Sequence, residues 1–242
     1  MNNYKTSAQL KSLAKGQLLG RYGTVIGAFL LMELVMLSFT VITSLFVDQT
    51  TVFGLILNYI ISFLTGLFAG IFSAGQAYIC LNISCKRPCK ASDVFYGFNH
   101  HPDKALLLQL VISLISFTSM IPSCIFSYIA AYTRRMIYIF PACVFLIIGT
   151  LIAVYFSLCF SQVFYLLLDF PDYTVSQLLT LSKKIMKGQK GRLFYLLVSF
   201  LPLYLLGLLS CCVAYLWIIP YVNQTSSNFY LDLMKNRQNE NR

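Results

Sequence analysis

Charged residues are scarce in this chain, and their scarcity excludes an ordinary soluble globular protein. Lys, Arg, Asp and Glu make up 11% of the 242 residues, whereas a soluble domain carries about 25%. Long polar segments are absent as well. The longest has about 25 residues, fewer than the roughly 40 that an independent soluble core needs.

The motifs of common enzyme classes are also absent. The chain contains no HExxH, GxSxG, CxxC or GxxxxGK[ST] pattern, and these spacings serve zinc peptidases, serine hydrolases, thiol oxidoreductases and nucleotide-binding loops. The nearest approach to a serine elbow, Gly70–Gly75, is one residue out of register. We therefore predict a non-enzymatic protein that carries no cofactor.

Histidine is rare, and the cysteines are not spaced for a metal site. Cys80, Cys85 and Cys89 are separated by four and three residues, and the only histidines are His100 and His101. A structural zinc site typically uses CxxC with a second pair of ligands. No metal site is predicted, and the cysteines are expected to be reduced.

Apolar residues make up 58% of the chain and are concentrated in long runs. Each run exceeds the roughly 20 apolar residues that cross a ~30 Å hydrocarbon core as a helix. The five runs are Thr24–Val47, Val52–Leu81, Ala105–Tyr132, Met136–Leu168 and Leu193–Val222. The chain is therefore predicted to be an all-α membrane protein.

The last run is predicted to form two helices. Its apolar pattern continues weakly to Leu233, and one helix from Leu193 to Leu233 would be about 60 Å long, twice the membrane core. Gly207–Ser210, followed by two cysteines, is the most favourable place for a break. Six transmembrane helices follow from this division.

The distribution of cations agrees with six helices and predicts that both termini are cytoplasmic. With that topology, all 18 lysines and arginines except Arg134 and Arg135 fall in cytoplasmic segments, as the positive-inside rule requires. Such loops are attracted to the anionic lipids of the cytoplasmic leaflet. The net charge of +10 therefore predicts a bilayer with anionic headgroups as the partner, and not nucleic acid.

The predicted architecture is one polytopic membrane domain over residues 1–242, with three transmembrane hairpins that each follow a cytoplasmic interfacial segment. The predicted transmembrane helices are 24–47, 52–81, 105–132, 136–168, 193–209 and 213–233, and the predicted interfacial helices are 6–20 and 174–187. Residues 93–101 occupy the equivalent place before the third span but match the other two segments only loosely.

The two predicted interfacial helices repeat one sequence pattern at a constant offset of 168 residues. In each, a threonine is followed three residues later by a glutamine (Thr6 and Gln9, Thr174 and Gln177), which indicates a capping box. Their amphipathic pattern predicts helices in the membrane interface, with the apolar side in lipid and the cations toward phosphates. The candidate lipid-headgroup contacts are Lys11, Lys15, Lys183, Lys184 and Lys187.

Glu33 is the one carboxylate well inside a predicted span. Because a charge in the bilayer core is costly, an intramembrane acid is a functional hypothesis: it would bind a cation, relay a proton or pair with a polar neighbour. The candidate intramembrane polar site consists of Glu33, Asn58, Gln76 and Gln162. The alternative is a protonated Glu33 that bonds one such amide for structural reasons alone.

Small residues recur every four positions along the second run and form a candidate packing face. They are Ser62, Gly66, Gly70 and Ala74. A face of this kind lets another helix approach closely. The neighbour is either another helix of this chain or the same helix in a second copy.

Five segments carry a resemblance to a known family. They are Lys11–Gly23, Phe95–Phe98, Leu167–Pro171, Ser182–Phe194 and Pro220–Tyr230. Together they resemble a bacterial family of integral membrane proteins known as domain of unknown function 975. The family is common in Gram-positive bacteria and is similar in plan to the membrane domain of some glycerophosphodiester phosphodiesterases. Unlike the family pattern, this chain has no Pro-Gly pair early in the fourth span, and Ser210–Cys212 replaces a glycine-rich turn.

The resemblance implies a six-helix membrane protein and supplies no activity. With the absent enzyme motifs, it predicts a non-enzymatic scaffold, accessory or immunity-type subunit in the plasma membrane of a Gram-positive bacterium. Another membrane protein is then the expected partner. The alternative is a small-molecule or lipid carrier that uses a polar cavity near Glu33.

Overall fold

A computed structural model describes residues 4–47 and 51–240, and throughout these residues the chain forms helices and turns without a strand. The helices are α1 (Ser7–Leu18), α2 (Tyr22–Phe46), α3 (Val52–Ser84), α4 (Tyr96–Asn99), α5 (Pro102–Thr133), α6 (Ile139–Phe160), α7 (Val163–Asp169), α8 (Val175–Ile185), α9 (Lys190–Val198), α10 (Leu201–Leu209) and α11 (Tyr215–Glu240). Short 3-10 turns at Ala91–Phe95 and Met136–Tyr138 precede α4 and α6. Residues 1–3, 48–50 and 241–242 of the predicted domain, Arg242 among them, lie outside the described residues.

Five stretches of the described chain are long and apolar enough to cross a membrane. They are Tyr22–Phe46, Ile56–Ser84, Pro102–Thr133, Met136–Asp169 and Lys190–Leu209. In each of them, at most 22% of an 18-residue apolar stretch is buried inside the protein. Their leucine, isoleucine and phenylalanine side chains therefore form an apolar outer surface that fits lipid. The sixth predicted span lies in α11, which is long enough but more polar.

The last helices of the chain run antiparallel to each other. Three contacts between the α9–α10 segment and α11 occur in reverse order along the two stretches. They join Arg192 to Asp232, Phe200 to Tyr221 (ring centroids 5.2 Å apart) and Tyr204 to Tyr215 (6.2 Å). The whole of α9–α10 therefore lies beside α11.

The buried core is concentrated at the end of the bundle where α1 meets the second half of α11. We call this the terminal end, and the opposite end, which carries the α5–α6 and α10–α11 turns, the distal end. One cluster at the terminal end brings together Leu10, Leu178, Met186, Phe200, Phe229 and Tyr230. Along α3, buried apolar side chains occur from Ile71 to Ile83, whereas Phe53, Tyr59 and Leu64 are exposed.

The sequence repeat is also a structural repeat. Both predicted capping boxes are confirmed, because Thr6 and Gln9, and likewise Thr174 and Gln177, bond each other's backbone and side chain. The helices that follow, α2 and α9, begin at Tyr22 and Lys190, again 168 residues apart. The two segments are thus copies of one helix–turn–helix unit.

The apolar faces of α1 and α8 pack on protein. Several of their residues are completely or almost completely buried within the bundle, namely Leu10, Ala14 and Leu18 in α1 and Leu178, Ile185 and Met186 at α8, whereas Leu13 is 38% exposed. The placement of the two helices in the membrane interface stays a prediction. An amphipathic pattern shows only that one side of a helix is apolar, and here that side covers the core of the same chain.

Breaks divide the fourth and fifth predicted transmembrane helices. The predicted helix 136–168 is interrupted at Ser161–Gln162, between α6 and α7, and the predicted helix 193–209 at Ser199–Phe200. The chain leaves helical structure again after Leu209, where Cys211 and Cys212 adopt left-handed conformations (φ 50° and 70°). This last turn lies next to the predicted break at Gly207–Ser210.

Candidate functional site: a buried polar layer and an outward-facing acid

A layer of amide and hydroxyl side chains crosses the terminal end between α1, α3 and α11. We call it the polar layer, and its members are Gln17, Ser84, Gln224, Ser227 and Asn228. The Nε2 of Gln224 donates to Gln17 Oε1 (2.9 Å) and to Ser84 Oγ (2.8 Å). The Nδ2 of Asn228 donates to the same Gln17 oxygen (2.9 Å), and Ser84 Oγ lies 3.2 Å from both Asn228 Oδ1 and Ser227 Oγ.

The polar layer fixes the positions of α1, α3 and α11 relative to one another. Buried amides are costly unless they are hydrogen-bonded, at about 1–3 kcal/mol for each group left unpaired, so these bonds strongly favour the observed packing. One acceptor, Gln224 Oε1, is buried without a protein partner. The layer also explains the polarity of α11, whose second half is buried against α1 and α3.

An ion pair lies beyond the polar layer, toward the chain ends. Arg192 Nη2 donates to Asp232 Oδ2 and to the backbone oxygen of Lys5 (2.6 Å), while the Lys5 amide donates to Asp232 Oδ2 (3.3 Å). The side chains are only 19% and 3% exposed, respectively. The guanidinium also lies over the rings of Tyr4 and Phe229, 4.9 Å from each centroid. Thus α9, α11 and the segment before α1 meet at one charged group.

Asp169 belongs to the same end of the bundle. The Tyr230 hydroxyl donates to Asp169 Oδ2 at 2.5 Å, and the Tyr230 ring stacks on that of Tyr165 with centroids 5.2 Å apart. Because Tyr230 is fully buried, the hydroxyl needs such a partner. The bond ties the end of α7 to α11.

Lys11, a predicted headgroup contact, has a partner inside the protein. Its Nζ donates to the Ser199 carbonyl at 2.8 Å and lies 4.0 Å from the centroid of the Phe200 ring. That carbonyl is free because Leu203, which would bond it in a continuous helix, donates to Phe200 instead. Burial lowers the pKa of Lys11. The ammonium therefore caps the break between α9 and α10.

The other four predicted headgroup contacts are exposed at the terminal end. They are Lys15, Lys183, Lys184 and Lys187. Their positions leave them free to meet lipid phosphates. Those lipid contacts stay a prediction.

The four residues of the predicted intramembrane polar site do not bond one another. Glu33 is exposed on the outside of α2. Gln76 Nε2 lies 2.9 Å from Met32 Sδ, whereas Gln162 is buried at the α6–α7 break, where it donates to Ser161 Oγ at 2.9 Å. Asn58 lines a separate cleft of about 350 Å³ between α2 and α3, with Thr40, Thr43, Ser44, Ile61, Ser62 and Thr65. A shared site stays a prediction.

The candidate packing face is occupied only toward the terminal end. Gly70 and Ala74 are buried, and a side chain at position 70 would overlap Gln109 of α5. Gly66 has open space beside it, and Ser62 is exposed. The terminal half of the face thus packs within the chain, and the distal half is uncovered.

No arrangement suited to a metal ion occurs in residues 4–47 and 51–240. Groups of three or more His, Cys, Asp or Glu that would hold an ion are not found there. All eight cysteines are unpaired, and burial raises the pKa of Cys89. The thiol, and not the thiolate, is favoured at that position.

The comparisons with known proteins identify the family. A family model described as a protein of unknown function (DUF975) matches residues 1–237. The chain belongs to the DUF975 family. No curated protein and no solved structure matches it. Membership in the DUF975 family does not assign an activity to the chain.

The contacts of several residues at the terminal end of this DUF975 protein could not be predicted from the sequence. The contacts of Asp232 and of the polar layer join distant positions, up to 227 residues apart for Lys5 and Asp232, and no local pattern links them. One signal was present: Asn223–Asn228 reads NQTSSN within a helix. Six consecutive polar residues that remain helical indicate a buried polar contact. Four of the five segments that carry the family resemblance contribute residues to the contacts described above.

Proposed function

We propose that this protein is a non-enzymatic accessory or scaffold subunit of a membrane complex, a class that includes immunity-type subunits, in the plasma membrane of a Gram-positive bacterium. It has six membrane-crossing helices in three hairpins and cytoplasmic termini. The observation that carries the role is Glu33, an acid on the outer surface of an apolar helix with no partner among the described residues of its own chain.

The antiparallel contacts of α11 support the sixth crossing. If α9–α10 crosses the bilayer, a helix that contacts it from Arg192 to Tyr204 crosses the same depth. The polarity of α11 does not oppose this, because Gln224, Ser227 and Asn228 face protein and not lipid. Polar residues inside a membrane bundle are stable when neighbouring helices satisfy them.

The cations support the orientation. Exposed lysines at the terminal end include Lys15, Lys183, Lys184 and Lys187, whereas Arg134 and Arg135 lie in a distal turn. The positive-inside rule assigns the more cationic end to the cytoplasm.

The position of Glu33 argues for a partner. It is the twelfth residue of the 25-residue α2, close to halfway along the helix. Exposed Leu30, Leu34 and Leu37 surround it. An acid facing hydrocarbon at that depth disfavours the membrane state by about 3 kcal/mol. A polar or cationic side chain on a transmembrane helix of another protein would remove that cost.

The carrier alternative needs a polar cavity around Glu33. The exposure of this acid on the outside of α2 favours association over enclosure of a cargo. A carrier remains the second prediction from the sequence.

Substitution of Glu33 tests the accessory role. We expect the wild-type protein, purified from its own membranes in mild detergent, to retain a partner membrane protein that Glu33→Leu loses and Glu33→Gln partly keeps. Ser38→Leu is the matched control, because Ser38 is exposed on the same helix and bonds only its own backbone. Equal recovery of all co-purified proteins with Glu33→Leu and wild type would disprove the role of the acid.

A further inference from the structure

A groove runs between α5 and α6 at the distal end of the bundle. Its volume is about 610 Å³. Small side chains leave the space open, and the groove is lined chiefly by Ser123, Ser127, Ala130, Ala142, Cys143 and Leu146. The two helices stay in contact beneath it, because Ser123 Oγ donates to the Ala142 carbonyl at 3.1 Å. Ser127, Cys143 and Leu146 are exposed, so the groove opens on the outer surface of the bundle.

Two arginines stand at the distal mouth of this groove. Arg134 and Arg135 both line it and are both exposed. Neither guanidinium has a hydrogen-bond or ion-pair partner within the described residues 4–47 and 51–240. The sequence offers none nearby on these helices, since no carboxylate occurs between Asp103 and Asp169. The pair is therefore an uncompensated double positive charge at the edge of the apolar zone.

The two arginines and the apolar groove together fit one kind of ligand. A guanidinium matches a phosphate group with two parallel hydrogen bonds, and adjacent arginines favour a ligand that carries net negative charge. The groove directly below is apolar and accepts a flexible hydrocarbon chain. A molecule with both parts is an anionic phospholipid of the leaflet at the distal end.

We infer that the α5–α6 groove is a binding site for an anionic phospholipid, whose phosphate is held by Arg134 and Arg135 and whose acyl chain lies against Ser127, Ala130 and Cys143. This site does not depend on the partner of Glu33. It also gives a role to the only two cations that the six-helix topology places away from the cytoplasm.

Photo-crosslinking locates the lipid. The full-length protein is reconstituted in phosphatidylcholine vesicles that contain a small fraction of phosphatidylglycerol with a photoreactive acyl chain, and cross-linked peptides are mapped by mass spectrometry. A photoreactive phosphatidylcholine serves as the neutral probe. We expect the anionic probe to label the groove about 25-fold more than the neutral probe, since each of the two arginines strengthens binding to anionic lipid by about a factor of five.

Paired variants separate the headgroup contact from general charge. Arg134→Gln with Arg135→Gln should abolish the preference for the anionic probe in the groove. Lys183→Gln with Lys184→Gln removes the same charge from adjacent exposed residues at the terminal end and should leave that preference intact. Ser127→Phe, which keeps both arginines and fills the groove, should reduce labelling there by both probes.

Three outcomes would overturn the site. They are equal labelling by the two probes, a preference that survives loss of both arginines, and groove residues that cross-link to a second protein chain in place of lipid. Elution as a single species from a size-exclusion column confirms that each variant is folded before it is compared.

Discussion

Gly20 and Gly188 adopt the same left-handed backbone conformation, with φ of 76° and 78°, at positions 168 residues apart in the chain. Each lies in the turn that follows a capped helix, α1 or α8, two positions before the first residue of the next helix. The two turns are therefore equivalent in geometry as well as in sequence.

Substitution of the glycines in these turns should destabilise the protein because it strains the backbone. Neither has an atom within 4 Å of an added Cβ, so steric overlap is not involved. We expect Gly20→Ala and Gly188→Ala each to lower the free energy of unfolding by about 1–2 kcal/mol, the cost of a left-handed residue with a side chain. Thermal unfolding in detergent measures the change. Gly191→Ala is the control, with open space and no positive φ, and should change stability by less than either.

Two glycines of the candidate packing face should respond differently to alanine. A side chain at position 70 overlaps Gln109, whereas one at Gly66 meets nothing within 4 Å. We expect Gly70→Ala to destabilise the protein by about 1–3 kcal/mol through overpacking, and Gly66→Ala to leave its unfolding temperature unchanged. Loss of an oligomer on size-exclusion chromatography with Gly66→Ala would instead assign the uncovered half of the face to a second copy.

Removal of one member of the Arg192–Asp232 pair should strongly destabilise the protein. Because the side chains are 19% and 3% exposed, each single variant leaves a mostly buried charge without its partner. We expect Arg192→Met or Asp232→Asn to lower the free energy of unfolding by about 3–5 kcal/mol, and the double variant to lose less than the two single losses together. A double-mutant cycle in detergent checks this, and strict additivity would show that the pair does not interact.

The proposed topology predicts which native cysteines are accessible from outside the cell. Cys85 follows α3 at the terminal end, while Cys211 and Cys212 lie in the distal turn, and all three are exposed. In single-cysteine proteins, we expect a membrane-impermeant maleimide to label Cys211 in intact cells and Cys85 only after permeabilisation. A tag placed after Arg242 should be protected like Cys85. A tag accessible from outside the cell would show that the chain crosses the membrane five times and not six.

The sequence predicted local structure well, because the causes of local structure are local. A threonine three residues before a glutamine was enough to predict both capping boxes, and the length of the last apolar run was enough to predict a break near Ser210. The ends of α2, α3 and α5 also lie within three residues of the ends of the first three apolar runs. Hydropathy and capping act over a few residues, so they can be read without the tertiary structure.

The candidate site was less predictable, since its partners come from distant parts of the chain. Lys11 looked like a headgroup contact, but its partner, Ser199, becomes available only because a helix breaks 188 residues later. Glu33 stands out in the sequence as the one carboxylate well inside a predicted span. Its outward direction, however, depends on which side of α2 meets α3, and a helix that is apolar on nearly every side does not specify that side.

The contact between Lys5 and Asp232 joins residues 227 positions apart, so it forms only after Asp232 has been synthesised. Until α11 arrives, α1 lacks its main neighbour, and only Leu18 at its end can pack against α2 and α3. The nearest apolar surface during that interval is the membrane interface, where an amphipathic helix of this pattern binds. The amphipathic pattern of α1 therefore fits the membrane interface before α11 is present and the core of the protein afterwards.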